Sequence, residues 1–143
     1  ATDTWDFICE QYALNGSAKV LIAKTDKGGL LQLSVETANP TNVISGTVYV
    51  FLTDHSTITC SDKGIREVKD GQIISYYMFT AAEMNKLKKI EIESIHFNIK
   101  GDGKRFNSQL GNFTAVNRKA YFATAFDKSK KSHDTAAAIS KLY

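Results

Sequence analysis

The stretch Phe79–Lys100, FTAAEMNKLKKIEIESIHFNIK, decides the fold. Thr80 and Glu83 have capping-box spacing: the hydroxyl accepts from the backbone three residues on, and the carboxylate reaches back to the cap. Met84, Leu87 and Ile90 then form one apolar stripe at helical spacing. After Ile90 the period changes to two. Ile95, Phe97 and Ile99 alternate with Ser94, His96 and Asn98, as in a strand with one buried face. A capped helix that runs straight into a strand predicts a sheet with an attached helix near residues 80–90.

Working back towards the N-terminus, strand patterns dominate. Trp5–Tyr12 reads as a strand with Trp5, Phe7 and Cys9 on one face. Asn15-Gly16 is a turn signal. Ala18–Lys24 is a nearly continuous apolar run, as in a strand covered on both faces. Asp26-Lys27-Gly28-Gly29 predicts a hairpin turn, followed by Leu30–Glu36 with Leu31, Leu33 and Val35 inward. These first three strands are expected to form a meander. Ala38–Asn42 holds the one proline and reads as a loop. Ser45–Thr53 is the clearest strand, with Val48, Val50 and Leu52 on one face and Thr47, Tyr49, Phe51 and Thr53 on the other. Thr57–Cys60 and Ile65–Val68 are short strands, with turns at Asp62-Lys63-Gly64 and Asp70-Gly71. Gln72–Phe79 leads into the Thr80 cap.

Beyond Lys100, Gly101-Asp102-Gly103-Lys104 reads as a polar turn. Phe113, Val116 and Ala120 suggest a helical stripe, while Tyr121, Phe122 and Phe126 suit helix or strand. Asp127–Asp134 is basic and loop-like. A C-terminal helix is expected over Asp134–Tyr143, capped by Ser132 or Asp134, with Ile139, Leu142 and Tyr143 docking. The expected fold class is therefore α+β, mostly β: an antiparallel sheet or sandwich of about 7–8 strands, with the inserted helix and the C-terminal one. The hairpins and the lack of alternating βαβ units argue against a doubly wound sheet.

Composition sets the outer bounds. A chain of 143 residues is the size of one domain with a proper core, so a single domain over 1–143 is expected. Hydrophobic residues at 43% and charged residues at 23% match folded globular proteins rather than disordered ones. A net charge of +3, with acids nearly balancing bases, is not the footprint of a nucleic-acid binder. No apolar run approaches the roughly 20 residues of a membrane helix, so no membrane span is expected. The chain opens Ala1-Thr2-Asp3, a small residue first, as after removal of a secretory signal. Cys9 and Cys60 lie in separate predicted strands and form the candidate disulfide, the alternative being two buried thiols. Both features point to an exported protein, periplasmic or secreted.

The chemistry-bearing residues are sparse. His55, His96 and His133 have no ligand spacing, and no zinc-site pattern occurs, so no metal or cofactor is expected. There is no Gly-x-Ser-x-Gly elbow. A Cys60 nucleophile with His55 or His96 as base is disfavoured by the expected pairing with Cys9. Asn15-Gly16-Ser17 and Asn112-Phe113-Thr114 match the glycosylation sequon, at a frequency chance explains. Lys86, Lys88 and Lys89, and Lys128, Lys130 and Lys131, are basic clusters that suit solvation. Tyr49 and Phe51 mix aromatic bulk with neighbouring hydroxyls and are the candidate binding surface, with a second packing layer as the alternative. These residues point away from an enzyme and name no catalytic set. The expectation is a non-catalytic exported binding protein recognising a protein or glycan. A small hydrolase or isomerase with a scattered polar site, and a hydrophobic-ligand carrier, are the alternatives.

Overall fold

The computed structural model describes residues 1–9, 17–36, 43–100, 111–117 and 132–143. The expected turns at Asn15-Gly16 and Gly101–Lys104, the proline loop, the Tyr121–Phe126 segment and the Lys128–Lys131 cluster lie outside them. The described strands are β1 (Trp5–Cys9), β2 (Ser17–Thr25), β3 (Gly28–Glu36), β4 (Val43–Leu52), β5 (Thr57–Thr59), β6 (Ser61–Lys69), β7 (Gln72–Thr80), β8 (Ile92–Lys100) and β9 (Gly111–Val116). The helices are α1 (Ala81–Leu87) and α2 (Thr135–Ser140).

The strands form one nine-stranded sheet in the order β5-β4-β8-β9-β1-β2-β3-β7-β6, and every paired ladder is antiparallel. The two ends of that order, β5 and β6, are separated in the chain only by Cys60. The sheet therefore curls round on itself. Cys60 sits at the join, its N–H donating to the Val48 carbonyl at 2.9 Å. Beyond the join no β4–β6 ladder forms among the described residues. There the Arg66 Nε donates to the Ile44 carbonyl at 3.1 Å, and the same guanidinium is held by the Asp62 carboxylate. The result is a nearly closed barrel, mostly β, with more strands than the expected 7–8.

Alternation explains the walls. Phe7, Val20, Ile22, Leu31, Leu33, Val50, Tyr77, Ile95 and Phe97 all point inward and are buried. Their sequence neighbours point out. α1 lies over one end of the barrel because its stripe, Met84 and Leu87, is wholly buried. The Thr80–Glu83 capping box is present in both directions. Gly28 sits beneath that helix at φ 148°, where a Cβ would land on the Phe79 carbonyl oxygen. The β2–β3 turn is thus Asp26-Lys27 alone, and both glycines belong to β3. Asp70 and Gly71 both have positive φ and link β6 to β7, as a two-residue hairpin turn requires.

Several expectations are corrected. Asp62-Lys63-Gly64 is not a turn between strands but an irregularity inside β6, closed by the Gly64 N–H on Asp62. Phe113 and Val116 lie in strand β9, not on a helix. α2 starts at Thr135 with no side-chain cap from Asp134. Its N-terminal groups are taken instead by the Glu91 carboxylate, which accepts from the Thr135 N–H at 2.7 Å, the Thr135 hydroxyl at 2.9 Å and the Ala136 N–H at 3.3 Å. Tyr143 stays exposed, with the Lys24 and Lys88 ammonium groups over its ring.

The disulfide is also corrected: Cys9 and Cys60 are free and buried. Going round the barrel, β1 and the β5–β6 join are separated by β9, β8 and β4 one way and by β2, β3 and β7 the other. They lie on opposite walls, whereas a disulfide joins Cα atoms only about 4.4–6.8 Å apart. Burial pushes both thiols up to about 12.

Candidate functional site

Tyr49 and Phe51 lie on the outside of the β5–β4–β8–β9 wall, because Val48, Val50 and Leu52 take the inside. The ladder then fixes their neighbours. Tyr49 pairs with Thr59 on one side and His96 on the other. Phe51 pairs with Thr57 and Ser94. His96 pairs in turn with Thr114, and Asn98 with Asn112. The outward set is thus hydroxyls, amides, two aromatics and one imidazole. No Asp, Glu, Lys or Arg occurs in it from the Phe51 row to the Ser45–Asn98 row. The next outward residue along β8, Lys100, marks its edge.

A bulge makes this wall concave. Ser45 pairs with Asn98 and Tyr49 with His96, so four steps along β4 face two along β8. Gly46 absorbs the excess at φ 69°. The hollow beside it is about 200 Å³, lined by Thr47, Tyr49, His96, Asn98, Asn112 and Thr114 over the Phe97–Phe113 pair. Those two rings are 5.9 Å apart and close the floor from within.

The rim is held by a short polar chain. The Ser45 hydroxyl bonds Asn98 Oδ1 at 3.1 Å, and Asn98 Nδ2 donates to Asn112 Oδ1 at 2.9 Å. On the other side Phe51 packs against His96 with ring centroids 4.2 Å apart, and Tyr49 lies 6.5 Å from Phe51. Tyr49 is 39% exposed. Partial burial lowers the His96 pKa from its ordinary value, favouring the neutral imidazole.

The other candidates do not assemble. His55 sits on an exposed turn with positive φ. His133 stacks on Phe7 with centroids 6.1 Å apart, and its Nε2 lies 3.2 Å from the Asp6 carbonyl. Cys60 is in the core and protonated, so neither His55 nor His96 has a thiol to activate. Among the described residues no group of three metal-binding side chains exists. No described helix is long and apolar enough to cross a membrane. A second, larger hollow of about 510 Å³ runs between Thr2, Trp5 and α2. Its Thr2 hydroxyl is already bonded to Ile22 and Asp3.

The sequence marked Tyr49 and Phe51, with Thr47 on the same face, but missed Asn98, Asn112 and Thr114 as their partners. The uncharged outward positions of Ile92–Lys100 were visible in the alternation, but their registry with Tyr49 was not. No family model matches this chain, and neither a curated protein nor a solved structure is significantly similar to it.

Proposed function

We propose that this is a non-catalytic binding protein that recognises a glycan on the outer β4–β8–β9 wall. One observation carries the reading: a solvent-facing hollow lined by aromatic, amide and hydroxyl groups and, among the described residues, by no charge. Sugar rings present an apolar C–H face beside hydroxyls that donate and accept. Tyr49 offers the first partner at little conformational cost, and Asn98, Asn112, Thr47 and Thr114 offer the second. A protein partner of ordinary charge would find few complementary groups there.

The alternatives fit less well. His96 has no carboxylate beside it among the described residues, so a hydrolase would lack its second acid–base group. The barrel interior is filled by Tyr77, Phe7, Phe97 and aliphatic side chains, which suits a core more than a carrier cavity. Two buried thiols do not call for an oxidising compartment, and the glycan reading does not depend on export.

The test is a glycan array probed with wild type, Tyr49→Ala and Phe51→Ala, with melting curves alongside. Loss of capture with an unchanged melt supports recognition. No capture by the wild type, or a Tyr49→Ala loss of about 3 kcal/mol or more, the scale of a deleted core aromatic, refutes it.

A further inference from the structure

We infer that the hollow takes a neutral sugar unit and holds it only while the His96 imidazole is uncharged, so that the protein releases its glycan in acid. This rests on the glycan reading above and adds to it the class of sugar and a condition of release.

The class follows from what lines the hollow. A uronate or sulfate would be buried against Thr47, Tyr49, Asn98, Asn112 and Thr114 with no cation among the described lining residues to pair it, and an unpaired charge is costly to desolvate. Lys100, the nearest charge along β8, lies beyond the amide row at the strand end. A neutral sugar needs no counter-charge. Its hydroxyls both donate and accept, as do the side-chain amides and a neutral imidazole.

The release follows from the position of His96. It stands mid-strand between β4 and β9, paired with Tyr49 on one side and Thr114 on the other. The groups facing it from β4 are Tyr49 and Phe51, and from β9 Thr114. Tyr49 is the one titratable group among them. Among the described residues no carboxylate faces the ring to stabilise an imidazolium. Phe51 offers some cation–π attraction, but that contact exists with the hollow empty or filled. A seated sugar removes water from the ring and so disfavours the charged form further.

The sign follows. The occupied protein binds the imidazole proton less readily than the empty one. Affinity is full above the titration of the free His96 ring and falls as pH drops below it, by up to about tenfold per pH unit. Burial already places that titration on the acid side of the ordinary histidine range.

The probes are neutral gluco-, manno- and galacto-oligosaccharides, each arrayed beside a uronate or sulfated counterpart. The tightest binder is then titrated calorimetrically between about pH 7.5 and about pH 4.5, spanning the histidine range. A neutral probe should bind best and weaken in acid. His55→Gln and His133→Gln should keep that slope, and His96→Gln should flatten it whatever its affinity at neutral pH. Should His96→Gln fail to bind, the ring resonances of wild-type His96 decide: they should titrate at lower pH with sugar bound. A preferred anionic counterpart, a flat wild-type profile, a slope surviving in His96→Gln, or a His96 titration unmoved or raised by sugar overturns the inference while leaving glycan binding intact. Capture of no glycan at all overturns the glycan reading itself.

Discussion

The outer wall of the barrel carries two faces with opposite chemistry. On β2, β3, β7 and β6 the outward positions include Lys19, Glu36, Glu67 and Lys69, the usual solvated mixture. On β5, β4, β8 and β9, from the Phe51 row to the Ser45–Asn98 row, the corresponding positions are Thr, Ser, Asn, Tyr, Phe and His with Val116. Two tyrosines show the difference. Tyr76, on the first face, donates its hydroxyl to Glu67 at 3.0 Å. Tyr49, on the second, makes no hydrogen bond among the described residues and is 39% exposed. One face pairs its phenol with a neighbouring carboxylate. The other turns its phenol to solvent, beside the Ser45–Asn98–Asn112 chain at the rim of a hollow. Both walls use the same alternation, so the contrast lies in side-chain choice and in the bulge at Gly46.

The largest effect tests whether the uncharged face is surface or core. Ile95 is buried on the inside of β8, next to His96 on the outside. Ile95→Ala should cost about 2–5 kcal/mol in urea melts. Tyr49→Ala should change stability by less than about 1 kcal/mol. Equal losses would make the outer face a packing layer and end the comparison.

Next is the helix clamp, at the Ile92 end of β8. Glu91→Ala removes three hydrogen bonds at the α2 N-terminus. A loss of about 1–3 kcal/mol is expected in denaturant melts, since the Thr135 hydroxyl and the Ala136 N–H lose their acceptor. Glycan capture should not change. Lost capture at full folding would tie recognition to the helical end.

A paired charge insertion sharpens the contrast directly. Thr59→Lys and Gln32→Lys each place a cation on one outer face, and each should shift stability by no more than about 0.5 kcal/mol. Only Thr59→Lys should weaken capture, because Thr59 pairs with Tyr49. Equal effects on capture would mean that the two faces are functionally alike.

The smallest effect concerns the charged seam. The Arg66 guanidinium holds the Asp62 carboxyl down to about 2. A depressed acid stabilises the fold above its unfolded value of about 3.9 and stops doing so as pH falls towards about 2. Asp62 and Arg66 are both well exposed, so screening leaves Asp62→Asn a loss below about 1 kcal/mol near neutral pH. That loss should shrink in high salt and vanish at the acid end of the window. A pH-independent loss would assign it to the Gly64 contact instead.

Much of the fold was legible because it is written locally. The Thr80–Glu83 box, the Met84–Leu87 stripe and the inside–outside alternation of Ser45–Thr53 and Ile92–Lys100 need only neighbouring residues. What was illegible depends on distant pairs. Closure hangs on Cys60 meeting Val48 while β6 turns to β7, and no periodicity announces that. The expected Cys9–Cys60 bond failed for the same reason, since separate strands need not face each other at bonding distance. The α2 cap comes from Glu91, which is 44 residues away in sequence. In sequence Phe113, Val116 and Ala120 fit a helical spacing, whereas strand β9 buries Phe113 and Ala115 together. The site was half visible: Tyr49 and Phe51 stood out by composition. Asn112 joined them only through the β8–β9 register and the bulge at Gly46.

The central claim is that recognition belongs to the uncharged wall. Titrating isotopically labelled protein with the best neutral oligosaccharide from the array, and following the backbone amide resonances, tests it most directly. Shifts should concentrate at Thr47, Tyr49, His96, Asn98, Asn112 and Thr114, with β2, β3 and β7 silent. Saturable shifts centred on the β3–β7 face or on the Trp5–α2 hollow would contradict it.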